Sequence, residues 1–206
     1  MENVKHENIY SIVAQEMAKL HSIPLGNGDK TPKIWKLLNN FEKLSQDALA
    51  RNSELGERLE AIGLDSGWPR RAIDELKNLC DQESMPIGFC HNDLLLGNII
   101  YDEKRSHISF IDFEYGAANY TPFDVANHFN EFAGVDDCHY SRFPDEDFQR
   151  VWIRKYLEHA KLQDSAVDVE KFLSWVRICV PLSHLLWIVW GILQACYSTI
   201  DFDFVK

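Results

Sequence analysis

Residues 88–116, GFCHNDLLLGNIIYDEKRSHISFIDFEYG, constrain the fold of this chain more than any other stretch. A polar loop, His91-Asn92-Asp93-Leu94-Leu95-Leu96-Gly97-Asn98, runs into Ile99-Ile100-Tyr101, a charged turn over 102–106, and Ile108-Ser109-Phe110-Ile111. Apolar β-formers on either side of a polar connection predict a β-hairpin. Asp112-Phe113-Glu114 follows at once. A hairpin folds the chain back, so the loop before it and the acidic residues after it come side by side. The pattern predicts one cluster of Asp93, Asn98, Asp112 and Glu114.

That set suits phosphoryl transfer. The reaction needs a carboxylate to orient, and finally deprotonate, an attacking hydroxyl, and oxygen ligands for an Mg²⁺ ion that bridges the phosphates. Magnesium keeps several waters and takes few protein oxygens, so one Asp and one Asn suffice. The layout H-x-D-x-x-x-x-N, hairpin, D-F-x is that of a kinase catalytic loop and its metal-binding motif, with Asn92 in place of the arginine and Glu114 in place of the glycine.

Beyond these residues the chain resembles the choline and ethanolamine kinases, within the wider protein-kinase-like fold. The loop is similar to their H-N-D-L-x-x-x-N motif, and Phe110-Ile111-Asp112-Phe113-Glu114-Tyr115 to their second motif. The likeness continues through Asn119-Tyr120, through residues 123–134 (FDVANHFNEFAG), and into residues 197–204 (YSTIDFDF). The Asn-Glu-Phe-Ala-Gly and Phe-Asp-Phe spellings look more like the ethanolamine branch. The resemblance implies ATP and Mg²⁺ as cofactors and a small alcohol such as ethanolamine, or choline, as acceptor. It implies Asp93 as the catalytic carboxylate and Asn98, Asp112 and Glu114 as metal ligands. His91 and Asp124 become structural residues near the site, and Trp187 and Trp190 walls of the substrate pocket.

The totals set limits. At 206 residues the chain is long enough to bury a core as one domain or one large lobe. A net charge of −11 argues against a nucleic-acid partner, which needs a basic face, and favours a small cationic substrate. Five cysteines, an odd number without a C-x-x-C pair, read as reduced thiols of a cytoplasmic protein. Residues 178–200 carry no Lys, Arg, Asp or Glu and are long enough to span a bilayer. Pro181, Ser183, His184, Gln194 and Ser198 within that run favour a buried helix and no stable membrane insertion.

Apolar periodicity predicts helices over 8–21, 32–49, 52–61, 70–82, 125–132, 148–162 and from 168 onward. Leu44 and Leu79 are expected on inward faces. The Gly-x-Gly at 26–28 opens a loop of residues 26–29 and lacks the strand and Gly-Lys of a phosphate loop. Residues 136–147 form an acidic loop. Asp124 reads either as a second metal ligand or as a cap on backbone N–H groups that braces the loop, the second being preferred. His128 and Glu131, three apart, read as polar packing rather than a metal pair. Trp187, Trp190, Gln194 and Tyr197 share a helical face. An aromatic stripe of this kind is ordinarily core, but aromatic faces also attract ammonium groups.

Helices plus one small hairpin bearing the catalytic residues give an α+β, mainly α-helical chain. Against the family it is the large, C-terminal lobe over 1–206, without the nucleotide-binding small lobe. The small lobe supplies a glycine-rich cover and a lysine for the phosphates. The chain alone is expected to have reduced or no activity. Alternatives are another small-molecule kinase of the choline or aminoglycoside type, and a non-catalytic fragment that binds a partner, for example a full-length kinase subunit or a second copy of itself, through apolar surface near residues 85–120. Phosphate hydrolysis by the acidic cluster is a weaker alternative, since two-metal hydrolases show more ligands.

Overall fold

A computed structural model describes residues 7–28, 30–134, 138–160, 162 and 167–204. Asp29 of the expected glycine loop, Asp136 and Asp137 of the acidic loop, and Lys161 of the expected helix over 148–162 lie outside them. Helices α1 (Glu7–His21), α2 (Lys33–Leu49), α3 (Ser53–Ala61) and α4 (Trp68–Asp81) come first. Strands β1 (Ile87–Cys90), β2 (Ile99–Asp102), β3 (His107–Phe110) and β4 (Ala117–Tyr120) follow, then α5 (Thr121–Asn130), α6 (Glu146–Leu157) and α7 (Val169–Tyr197). The fold class is α+β and mainly helical, as the sequence predicts. The chain forms two compact units, residues 1–32 with 84–180, and residues 33–83 with 181–206.

In the first unit the expected hairpin forms as β2 antiparallel to β3, with Ile99 opposite Phe110 and Asp102 opposite His107. A second pair, β1 with β4, sets Ile87 opposite Tyr120 and Cys90 opposite Ala117. Sequence reading takes those segments for a lead-in and a turn. Four-residue strands containing Gly88, Ala117 and Ala118 carry little β-propensity, so tertiary packing decides them. At Gly88 a Cβ would stand 2.6 Å from the His21 carbonyl oxygen and 2.9 Å from Thr121 Cγ2. Only glycine lets β1 pass this close to the end of α1.

The core of this unit is aromatic. Trp152 and Tyr156 of α6 stack at 6.0 Å, Phe129 of α5 meets Trp152 edge-on at 5.2 Å, and Phe172 of α7 lies 5.1 Å from Tyr156. Edge-to-face and offset pairs of this kind add to the area they bury. Pro122 occupies the first turn of α5, where a missing N–H is harmless. Asp145 caps α6 by accepting from Phe148 N at 2.8 Å. At the far end of α5, a 3₁₀ turn over Glu131–Ala133 carries the chain to Gly134, whose φ of 83° ends it.

The second unit corrects two inward assignments. Leu44 and Leu79 are 50% and 42% exposed, while Glu42 is buried. The buried face of α2 runs Ile34, Trp35, Leu38, Glu42, Ser45, Ala48. Glu42 is tolerated there because Arg70 Nη2 reaches its Oε2 at 2.8 Å. Helix α4 starts two residues before the expected position, with Pro69 in its first turn rather than ending the preceding loop. Leu55, Leu59 and Ile192 form a core lined by Leu49, Leu64 and Trp68.

The expected helix from 168 and the apolar run beyond it are one 29-residue helix, α7, with Pro181 inside. By length and composition α7 can cross a membrane, and half of its most apolar window is buried in the protein. Past Pro181 its buried residues are Leu182, Ser183, Leu185, Leu186, Val189, Gly191, Ile192 and Leu193. Trp187, Trp190 and Gln194 are half-buried and Tyr197 is exposed, so the aromatic stripe lies off the core face.

Candidate active site

The hairpin brings its two ends together. Ile111 N donates to Asn98 O at 3.0 Å, so the residue preceding Asp112 lies against the last residue of the polar loop. His91 Nε2 donates to the Ile111 carbonyl at 2.8 Å. The acceptor is a carbonyl, so the proton sits on Nε2, and Nδ1 is left buried and unpaired. The ring packs 4.7 Å from Phe113. Asp112 then takes φ 64°, an uncommon left-handed conformation outside glycine, and its carboxylate is exposed. Glu114 is exposed two residues on.

Asn92 ties the loop to the acidic segment. Its φ is 68°. Its Nδ2 donates to Tyr115 O at 2.9 Å and to Cys90 O at 3.3 Å, and its Oδ1 accepts from Asn119 Nδ2 at 2.7 Å. An arginine at this position would not offer the acceptor oxygen that Asn119 uses. Asn98 Nδ2 donates to the Asp93 carbonyl at 3.0 Å, tightening the loop around Asp93.

Helix α5 and the 3₁₀ turn that continues it supply Asp124, His128 and Glu131, spaced four and three residues apart. Asp124 is fully buried and does what a cap does. Oδ1 accepts from Asn92 N at 2.7 Å and Oδ2 from His91 N at 2.8 Å. Oδ2 also meets His21 Nε2 at 3.0 Å. Burial disfavours its charge, but the His21 hydrogen bond and the two amides outweigh that and hold the carboxyl below its usual range. His21 Nε2, Cys90 Sγ and Asp124 lie within 4.8 Å of one another, a spacing a metal could bridge. All three are engaged otherwise: the thiol faces the carbonyls of Gly88 and Asn119, and burial keeps it protonated. This group is a hydrogen-bonded brace.

One turn along α5, His128 Nδ1 donates to Leu94 O at 3.1 Å. Burial lowers its pKa to about 4, so it is neutral and holds the loop rather than pairing with Glu131. Glu131 comes next. Burial raises its pKa to about 7. Asp93 is also raised to about 7, by burial first and then by Glu131, Asp112 and Glu114. With Asp124, which also raises Asp93, five carboxylates act on one site, and Asp93 and Glu131 are poised near neutrality. Sequence reading puts Glu131 in polar packing near a site but not among its carboxylates, although its spacing from Asp124 held the clue. It also passed over His21, for which no local signal exists, and gave Asn119 no role in the loop.

Trp187 and Trp190 belong to the second unit. Their rings meet edge-to-face at 5.6 Å, and Trp190 meets Phe204 at 5.9 Å. Gly191 permits that approach, since a Cβ there would sit 3.1 Å from the Phe204 carbonyl oxygen.

Asn98 and Asp112 pass a chemical test for magnesium. With Nδ2 bound to Asp93 O, the Asn98 amide presents Oδ1, and neither Oδ1 nor the Asp112 carboxylate takes a hydrogen bond from a described residue. Both are hard oxygen donors of the kind Mg²⁺ selects.

The chain is 36% identical to ethanolamine kinase 2 of Rattus norvegicus over 207 residues, covering 100% of this chain and 52% of that protein. It is 38% identical to the ethanolamine kinase of Drosophila melanogaster over 204 residues, covering 96% and 39%. Among solved structures, Plasmodium vivax ethanolamine kinase superposes with a TM-score of 0.82 at 28% identity, covering 99% of this chain and 57% of that one. An aminoglycoside phosphotransferase from Streptomyces rimosus shares the fold at a TM-score of 0.55 and 18% identity. The chain spans about half the length of the curated relatives it matches. The choline/ethanolamine kinase family model matches residues 1–206 from end to end, and the chain belongs to that family.

Proposed function

We propose that this chain is the acceptor-binding, catalytic part of an ATP-dependent ethanolamine kinase that forms phosphoethanolamine for phospholipid synthesis in the cytoplasm. One observation carries the reading: Asp93 and Glu131 are both desolvated carboxylates, burial pushes both toward protonation, and the charge of Glu131 adds to that push at Asp93. Such a pair calls for a cation. Ethanolamine brings an ammonium two carbons from a hydroxyl, so Glu131 takes the ammonium while Asp93 meets the alcohol. Asp93 orients the hydroxyl and accepts its proton as the new O–P bond forms and the bond from phosphorus to ADP breaks. A base near neutrality suits that task. Asp112 and Asn98, with Glu114 beside them, are the residues that would hold Mg²⁺. The ion supplies neutralising charge on the phosphates.

We place the groups that hold the nucleotide outside these 206 residues, as the family resemblance implies, so turnover by the chain alone is low. The test is Mg²⁺- and ATP-dependent formation of phosphoethanolamine, with Asp93→Ala and choline as controls, and calorimetric titration of ethanolamine in parallel. Ethanolamine binding that is lost in Glu131→Gln supports the reading. Equal binding in the variant, or turnover retained in Asp93→Ala, sinks it. Exposure of Ile87, Ile100, Ile111 and Phe113, each 41–51%, favours a second role, association of this chain through that face. A clean monomer in sedimentation counts against it.

A further inference from the structure

We propose that the second unit holds a binding site for a small zwitterion, with one anionic group and one ammonium a few bonds apart, in the cavity between the start of α3 and the segment that follows α7. That site is independent of the phosphotransfer reading and uses none of its residues.

The cavity measures about 230 Å³. Pockets for drug-sized ligands run to roughly 300–1,000 Å³, so the occupant is a molecule of few atoms. Leu55 of α3 and Ala195 of α7 line it, next to the core that Leu55 forms with Leu59 and Ile192. Ala195 leaves space that a longer side chain would take up. Phe202 and Phe204, past the end of α7, add an aromatic wall, their rings edge-to-face at 4.9 Å. Both walls are held in place. Ile200 N donates to Ser198 Oγ at 3.1 Å and Phe202 N to Ile200 O at 2.9 Å. Phe204 packs on Trp190, and its carbonyl passes close over Gly191. At the start of α3, Asn52 Oδ1 accepts from Leu55 N at 3.1 Å. A site already shaped this way loses little freedom on binding.

The rim carries charge of both signs. Arg58 of α3 and Asp203 stand with Nη2 3.5 Å from Oδ2, and each side chain is about half exposed. A closed charge-assisted contact sits at roughly 2.7–2.9 Å. This pair is stretched, and exposed pairs are weak. An anionic group with two oxygens engages the guanidinium fork better than Asp203 does at that distance. An ammonium then takes Asp203, with the Glu54 carboxylate also at the cavity and phenyl faces that attract cations. One molecule with both groups replaces a stretched ion pair by two closed ones. A plain anion meets the carboxylates of Glu54 and Asp203, and a plain cation meets Arg58, so each has only half of the match. A phosphomonoester of an amino alcohol and an ω-amino acid share the required chemistry.

The test is an NMR titration of the folded 206-residue chain. Amide shifts are followed at Leu55, Ala195 and Asp203 and, separately, over residues 91–98. The probes are phosphoethanolamine, γ-aminobutyrate, inorganic phosphate and ethanolamine. The expected result is saturable shifts at the cavity amides with a zwitterion, at a Kd at least roughly tenfold below that of phosphate or ethanolamine at the same amides. Arg58→Gln and Asp203→Asn, both at exposed positions, should each weaken the zwitterion at least roughly tenfold. Ala195→Leu should abolish the cavity shifts by filling the space with both charges intact. The Tm should rise with zwitterion concentration in the wild-type chain and not in Ala195→Leu. If Ala195→Leu does not fold, Ala195→Val replaces it, and undiminished binding there overturns the proposal. Shifts confined to residues 91–98, equal affinity for all four probes, or unchanged binding in Arg58→Gln also overturn it. Tighter binding of phosphoethanolamine identifies a phosphomonoester as the anionic half, and tighter binding of γ-aminobutyrate a carboxylate; either supports the site. Cavity amides that neither zwitterion moves refute it.

Discussion

Glu131→Gln should make the unliganded protein more stable at pH 8 and leave it nearly unchanged at pH 4.5. Burial raises Glu131 from an ordinary 4.5 to about 7. A carboxyl raised in the folded state contributes stability that is complete below the unfolded pKa and is lost as pH rises through the folded one. The window is therefore about pH 4.5 to 7. A shift of about 2.5 units at 1.36 kcal/mol each sets the loss at about 3 kcal/mol. Glutamine keeps the shape and cannot ionise, so at pH 8 the variant escapes that loss. It also removes the like charge that helps to raise Asp93, so the variant should gain on the order of 2 to 3 kcal/mol there. Urea denaturation at pH 4.5, 6, 7 and 8 measures it. Apart from Asp93, titration elsewhere in the chain cancels in the difference between the two proteins. A difference that stays flat across this range refutes the claim that Glu131 is desolvated and acts on Asp93. Saturating ethanolamine at pH 8 should narrow the gap by giving the wild-type pair its counter-charge.

Asp124→Asn exchanges one acceptor for a donor that faces N–H groups and should cost about 3 kcal/mol in urea denaturation; a loss below about 1 would mean the brace is slack. Gly88→Ala drives a Cβ into the His21 carbonyl, and overpacking of this kind costs about 1–3 kcal/mol, readable as a lowered Tm. Gly134→Ala forces alanine to φ 83° and should cost about 1 kcal/mol with no change in ethanolamine binding. Asp112→Ala should leave the Tm within a degree or two, because its carboxylate is exposed and unbonded, while abolishing Mg²⁺ binding seen by calorimetry; retained binding would move the metal away from Asp112.

Local sequence determined the hairpin and, with it, the site. Ile99-Ile100-Tyr101 and Ile108-Ser109-Phe110 alternate around a polar turn, and antiparallel pairing at that register leaves Asn98 beside Ile111 whatever else the chain does. The helices were legible for the same reason, since a 3.6-residue period needs only near neighbours. Residues whose partners are distant in sequence were not legible. The β1–β4 pair joins segments about thirty residues apart with little propensity in either. Glu42 is buried because Arg70 is on a neighbouring helix, and Leu44 is exposed for want of a surface to cover it. The same holds inside the site. The sequence named Asp93, Asn98 and Asp112 by their spacing, but the depth of Asp93, the approach of Glu131 and the brace through His21 and Asp124 depend on how α1, α5 and α6 pack around the loop. Burial and hydrogen bonding between residues as far apart as 21 and 156 are properties of the folded volume, which no window along the chain contains.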